Sequence, residues 1–516
     1  MTYRPWPPIS NSRMENTVTS LLPVWACLAS LLAVPLIVIF RKEIFLRELT
    51  TFVAGFAKLG FVLAMLPIIL EGKVITTTLF EGVSGINVPI VFRVDGLGMT
   101  FALVASSLWI LTSLYGIGYM RGLKEHSQTR FFAFFALSLS ATLGVAFAGN
   151  LLTLYLFYEL LSLSTWPLVT HHQDKEARTG GRTYLTHLLG TSVAFGIPAI
   201  VYTFIQSGGD LSFAGPAILA GNDMGYVTAV ALLLAFTFGF SKAGLMPFHS
   251  WLPGAMVAPT PVSALLHAVA VVKVGVFCVI RVVTGVFGIE LLEKLGANLV
   301  LCWVAAFTVI TSSLIALSQD SLKRRLAFST IGQLSYIVLG VALLHEMAVT
   351  GSVLHIAAHA VGKITLFFCA GAIYVATGKK YVSELAGLGK RMPFTFAAFF
   401  LGSLGVIGLP PTIGLISKFH LVVGAAGSGH TALLVVFLIS TILNAAYFLP
   451  ISFQAFFPSK GAKGEWANAT FSRANIKEAP LACVLPLCIT AGLTVGLFFF
   501  PGVLLNLAEI FVDSVK

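Results

Sequence analysis

The stretch SKAGLMPFHSWLPGAMVAPTPVSALLHAVAVVKVGVF, residues 241–277, combines long apolar runs with Lys242, His267, Lys273 and several prolines. Proline removes a backbone donor and crowds the preceding turn, so a helix carrying Lys242 five residues before Pro247 must break there. At bilayer depth a lysine costs about 2.5–3.5 kcal/mol unless it faces a partner or water. The segment therefore reads as two membrane crossings, one of them broken beside a charge.

The rest of the chain supports a membrane setting. Of 516 residues, 57% are hydrophobic and 10% are charged, too little polar surface for a soluble fold of this size. Apolar runs long enough to cross a hydrocarbon core of about 30 Å recur along nearly the whole length. Fourteen candidates fall near 18–40, 52–70, 96–119, 130–149, 150–169, 182–207, 225–246, 259–285, 296–317, 325–345, 348–377, 394–424, 430–457 and 480–511. Barrel strands would show short alternating segments instead, so the expected fold is an all-α polytopic membrane protein.

Several function classes drop out. Cys27, Cys278, Cys302, Cys369, Cys483 and Cys488 lie inside apolar runs without a CxxC pair and read as packing residues. The sequence has no Gly-rich nucleotide loop, zinc motif or haem-attachment motif, so no cofactor or metal is expected. Redox or hydrolytic chemistry would then belong to another chain, leaving this one at most a translocase subunit. Residues 1–17, MTYRPWPPISNSRMENT, lack the apolar stretch of a cleavable signal.

The formal charge of +11 follows topology rather than nucleic-acid binding. Assigning loops alternately to two sides places 20 Lys/Arg in loops 1–2, 3–4, 5–6, 9–10, 11–12 and 13–14, and 6 on the other side with the termini. The positive-inside rule makes the first set cytoplasmic and both termini external. Within the spans remain Lys58, Lys242, Lys273, Arg281, Lys363, Lys418 and a single acid, Glu159. Lys58 and Arg281 lie near span ends and read as snorkelling residues. Lys242, Lys363 and Lys418 lie deeper, and a structural ion pair with Glu159 could absorb one of them.

A second break is written in LGVIGLPPTIGLISKFHLVVG, residues 404–424, where Lys418 follows Pro411 by seven residues. Interrupted spans at corresponding points of two halves point to inverted repeats with an ion site between them. The halves would be residues 130–285, spans four to eight, and 286–457, spans nine to thirteen, flanked by 1–129 and 458–516. An odd number of crossings per unit turns the second upside down. Independent proline kinks are the plain alternative, made less attractive by the lysine beside each break. His355, His359 and Lys363 in VLHIAAHAVGKITLFF recur every four residues and share one helix face. Histidine titrates near neutral pH and suits a proton relay, although His267 alone could equally be a packing residue.

At these residues the chain resembles the antiporter-like subunits shared by respiratory complex I, membrane-bound hydrogenases and Mrp-type cation/proton antiporters. The resemblance rests on FRVDGLGMTF (92–101), NLLTLYLFYELLSLSTWPLV (150–169), residues 241–277 above, QDSLKRRLAFSTIGQLSYIVLG (319–340), HIAAHAVGKITLFFCAG (355–371) and GLPPTIGLISKF (408–419). It implies fourteen helices, two inverted five-helix repeats and a hydrophilic axis along the membrane midplane. It assigns Glu159 and Lys242 as an acid–lysine pair, Lys273 as the connecting lysine, His355, His359 and Lys363 as the central relay, and Lys418 as the terminal lysine.

Three features depart from the largest complex I members: the shorter length, a lysine at 418 where one such subunit has glutamate, and the segment THHQDKEARTGGRTYLTHLLG, residues 170–190. The length matches the shorter members, Lys418 fits a D-type Mrp or hydrogenase-associated subunit better, and the 170–190 segment departs from the complex I versions without favouring any one complex. The implied partners are other membrane subunits, protons and sodium ions, in a bacterial-type inner membrane. Competing expectations are a proton-driven partner of an inorganic-carbon uptake system, a spacer subunit with an inactive axis, and an ordinary solute carrier, the last disfavoured because no polar substrate pocket is evident.

Overall fold

The computed structural model describes residues 16–82, 88–458, 466 and 475–516. The leader reading of residues 1–17 falls almost wholly outside them, as do Lys460, Lys463 and Arg473 of the basic loop 13–14.

Long apolar runs become helices because lipid offers no partner for an unpaired N–H or C=O. They are α1 (Leu22–Ile39), α2 (Ile44–Leu70), α3 (Gly96–Gly122), α4 (Gln128–Ala146), α5 (Leu151–Val169), α6 (Lys175–Gln206), α7 (Tyr226–Gly239), α8 (Thr260–Phe287), α9 (Asn298–Ser318), α10 (Leu322–Ala342), α11 (Glu346–Thr377), α12 (Pro393–Ile407), α13 (Ile413–Gly427), α14 (Thr431–Phe456), α15 (Leu481–Phe499) and α16 (Gly502–Ser514). Among the described residues twelve of these are long and apolar enough to cross a membrane. The shorter apolar helices α7, α12 and α13 stand at the two expected breaks.

One departure from an all-helical chain is a three-stranded sheet, β1 (Thr17–Thr19), β2 (Val74–Phe80) and β3 (Ile90–Val94), with β1 parallel and β3 antiparallel to β2. The β-branched run VITTTLF lies between two spans, where strand propensity is free to act.

The helices sort by exposure. α1 and α2 leave Ile39, Phe45, Val53 and Phe56 exposed, as lipid-facing surfaces do, whereas α8 and α11 are enclosed on all sides. A helix apolar all round belongs in a core. α11 packs against α3, α8, α12, α13 and α15, so its polar stripe has no route to lipid. The free cysteines are buried apart from half-buried Cys488, consistent with packing roles.

Candidate functional site

The break after α7 is built locally. α7 ends at Gly239, Ser241–Ala243 form a 3₁₀ turn, and Gly244 takes φ +70° before the cis Met246–Pro247 bond. The turn rests on α8 at Gly275, where a Cβ would overlap the backbone of Lys242 and Ala243. Glycine is required for that close approach. The second break repeats the pattern: α12 ends at Ile407, Gly408 takes φ +88°, and Pro410–Pro411 is cis before α13 begins. The strings are Gly244-Leu245-Met246-Pro247 and Gly408-Leu409-Pro410-Pro411.

Beside these breaks lie four buried lysines, each held by neutral groups. Lys242 Nζ donates to the Tyr158 carbonyl at 2.8 Å and to Ser162 Oγ at 2.6 Å, and sits 3.1 Å from the Tyr158 ring centroid. Lys273 Nζ donates to the Ala268 carbonyl at 3.0 Å and meets His359 Nδ1. Lys363 Nζ donates to Ser329 Oγ at 2.7 Å, and the Tyr447 hydroxyl reaches the same oxygen at 3.0 Å. Lys418 Nζ donates to the Ile407 carbonyl at 3.0 Å, a group freed by the helix break, and lies 4.6 Å from the Tyr336 ring centroid. None of the four forms an ion pair among the described residues.

The histidines of the helix-eleven stripe join two of these lysines, Lys418 and Lys273. His355 and His359 stack at 5.9 Å, and His355 bonds Ser417 Oγ at 2.9 Å and Gln333 Oε1 at 3.1 Å. Tyr336 stacks on His355 at 5.8 Å, so Lys418, Tyr336, His355, His359 and Lys273 follow one another in contact.

His267 lies in a π turn of α8, Leu266–Ala270, and neither ring nitrogen has a hydrogen-bond partner. π turns recur at functional positions in helices. Its ring stands edge-on to Tyr184 at 5.9 Å; the Tyr184 hydroxyl meets Thr165 Oγ1 at 2.5 Å, which donates to the carbonyl of Ser162 at 3.2 Å. Ser162 is the group that holds Lys242, so Lys242 and His267 are linked through α5 and α6.

Glu159 and Lys242 are not brought into contact. Both Glu159 carboxylate oxygens are buried without a hydrogen-bond partner, and Lys242 points to the carbonyl of the preceding residue. Successive helical positions face about 100° apart, which leaves these two groups near one another without pairing.

Two expectations need correction. α2 begins at Ile44, earlier than the sequence suggested, so Lys58 is mid-helix, fully buried, and donates to the Leu139 carbonyl at 2.8 Å rather than snorkelling. Arg281 does not snorkel either: it grips Asp95 through two bonds of 2.6 and 2.8 Å, with Arg93 3.8 Å from the same carboxylate. Asp95 also caps α3 by accepting from Gly98 N at 2.9 Å. The sequence reading missed this acid because it immediately precedes its span.

Sequence reasoning also missed the hydroxyls and aromatics that hold the axis: Ser162, Thr165, Tyr184, Ser329, Tyr336, Ser417 and Tyr447. Hydroxyls on membrane helices commonly bond their own backbone, as Thr165 does to the Leu161 carbonyl at 2.7 Å, so composition cannot single out those facing a lysine.

The chain as a whole has known relatives. A family model described as NADH:quinone oxidoreductase/Mrp antiporter, TM, matches residues 148–444. The chain belongs to that family. A second model, described as the N-terminus of NADH-ubiquinone oxidoreductase (complex I) chain 5, matches residues 80–132. The chain is 31% identical to NADH-quinone oxidoreductase subunit N of Desulforudis audaxviator, over 88% of its length and 92% of that protein's. It is also 31% identical to one of the Na(+)/H(+) antiporter subunits of Alkalihalophilus pseudofirmus, over 80% of its length but only 52% of that relative's, so it spans about half of such antiporter subunits.

Among solved structures, its fold is similar to that of a chain in the archaeal membrane-bound sulfane sulfur reductase, with TM-score 0.83, 22% identity and coverage of 96% and 98%. A chain of the Mrp complex from Dietzia sp. gives TM-score 0.81, 20% identity and coverage of 96% and 97%. As a member of this antiporter-like family the chain is a multi-pass membrane protein, and its relatives work within multisubunit complexes.

Proposed function

We propose that this chain carries protons across the membrane within a multisubunit complex, along Glu159, Lys242, His267, Lys273, His359, His355, Lys363 and Lys418. One observation carries the reading: four buried lysines have only neutral acceptors, and two of them, Lys418 and Lys273, are joined through Tyr336, His355 and His359. A tight carboxylate partner would fix a lysine's charge, and with only neutral acceptors each of these lysines is free to exchange a proton. Glu159, buried near Lys242 without a partner, is the group whose ionisation would bias Lys242. A proton shared among such close sites belongs to the set rather than to one residue.

The finer reading takes residues 130–285 and 286–457 as two inverted five-helix repeats within fourteen crossings. Its support is the shared glycine-proline pattern of the two breaks, each beside a lysine. The positive-inside rule then sets both termini on the outer face of an inner membrane. Protons are the proposed ions; sodium would move through partner subunits.

Lys242→Ala, Glu159→Gln and Lys418→Ala in the intact complex test the reading when proton movement and complex assembly are measured together. The expected result is lost ion movement with assembly kept. Normal movement in both lysine variants would leave a spacer with an inactive axis.

A further inference from the structure

Away from the membrane axis, the loop after α3 meets the loop after α5. Glu125 and His126 face His171 and His172, and one donor atom from each of Glu125, His126 and His171 lies within 4.8 Å of the others. Glu125 Oε2 is 3.9 Å from His171 Nε2 and 3.9 Å from His126 Nδ1, and Oε1 is 3.2 Å from His172 Nε2. The rings of His126 and His171 are 4.9 Å apart, and those of His171 and His172 5.6 Å. The two histidines of the second loop belong to the 170–190 segment that departs from the complex I pattern.

His171 supplies the independent observation. It is fully buried, and neither of its ring nitrogens has a hydrogen-bond partner, although one points at Glu125. An orphaned buried nitrogen is costly, and its presence calls for a ligand.

We propose that Glu125, His126 and His171 form a binding site for one zinc ion, clasping the α3–α4 loop to the α5–α6 loop, with His172 holding the other oxygen of Glu125 from outside the donor set. Two imidazoles and a carboxylate, with the fourth position open to water, are an established type of zinc donor set, and bonds of about 2.0–2.2 Å put tetrahedral donors roughly 3.3–3.6 Å apart. Glu125 Oε2 lies 3.9 Å from a nitrogen of each of His126 and His171, and all three donors lie within 4.8 Å of one another, so a contraction of about 1 Å or less brings them to zinc distances. His126 is half exposed, which gives the ion a path from water. Arg130, which donates to the His171 carbonyl at 2.7 Å, and Lys323 are the nearby cations, and Asp174 is the further acid near His172. The site stands apart from the proposed axis, so either reading can fail alone.

The test uses the full chain purified in detergent, equilibrated with zinc sulfate, desalted and assayed for bound metal. One zinc per chain should be retained against a chromophoric chelator, with loss in His171→Gln and in Glu125→Gln but not in His420→Gln. Retention unchanged in the first two variants, or no retention in the wild type, overturns the site. Cobalt loading of the wild type needs no variant: intense visible d–d absorption of four-coordinate cobalt is expected, and the weak spectrum of a six-coordinate ion overturns it.

Discussion

Two groups of buried charges sit in this molecule under opposite rules. Around Asp95, Arg281 and Arg93 bring cations to a carboxylate that also caps α3. Along α8, α11 and the two helix breaks, four lysines lie among carbonyls, hydroxyls and aromatic rings with no ion pair among the described residues. Burial is nearly the same in both groups, so it does not separate structure from function. Partnership separates these two groups, because a paired charge is held in one ionisation state and an unpaired one is free to change; Lys58, unpaired but bonded to α4 apart from the four, tests whether partnership alone suffices.

The comparison breaks most sharply at Arg281. Arg281→Ala leaves Asp95 buried beside a single more distant arginine, and removing one partner of a buried pair costs about 3–5 kcal/mol. The variant should show strongly reduced membrane abundance and assembly in blue-native gels, a much larger effect than the snorkelling expected from sequence. Wild-type abundance would place Arg281 with the unpaired lysines.

Lys242→Ala and Lys418→Ala should do the reverse, keeping abundance while proton movement in vesicles falls to the background of protein-free membranes. Losing a costly intramembrane charge does not hinder insertion. A fall in abundance matching that of Arg281→Ala would erase the distinction.

Ser162→Ala and Ser417→Ala probe the acceptors, each removing a hydrogen bond worth about 0.5–1.5 kcal/mol. Slower proton movement with normal assembly is expected. Unchanged rates in both would mean that these hydroxyls only fill space.

Smallest of all should be Lys58→Met. It replaces a buried ammonium that donates to one carbonyl with an apolar chain of similar length, an exchange that is often neutral or stabilising. Unaltered ion movement and a melting temperature at or above wild type are expected; loss of pumping would add Lys58 to the functional row.

What could be read from sequence divides along the same line. The membrane class, both helix breaks and the lysines beside them were legible because proline, glycine and charge in apolar runs carry strong local penalties. The 355–359–363 stripe was legible because helical period is local. The Asp95–Arg281 pair was hidden by 186 residues of separation and a span boundary that fell one residue past the acid. The Glu159–Lys242 pair was expected, yet the lysine turns to Tyr158 and Ser162, acceptors that lie on the same helix as Glu159 and that charge alone does not reveal. The β-sheet was lost because segments outside the spans were read only for charge.

At Gly275 two main chains touch with no side chain between them. In mechanical language the joint is welded: the turn bearing Lys242 and the helix bearing Lys273 have no cushion to slide on. Dense packing transmits displacement rather than absorbing it. A change at Lys242 must then come from rotation about its own side-chain bonds or carry α8 along with it.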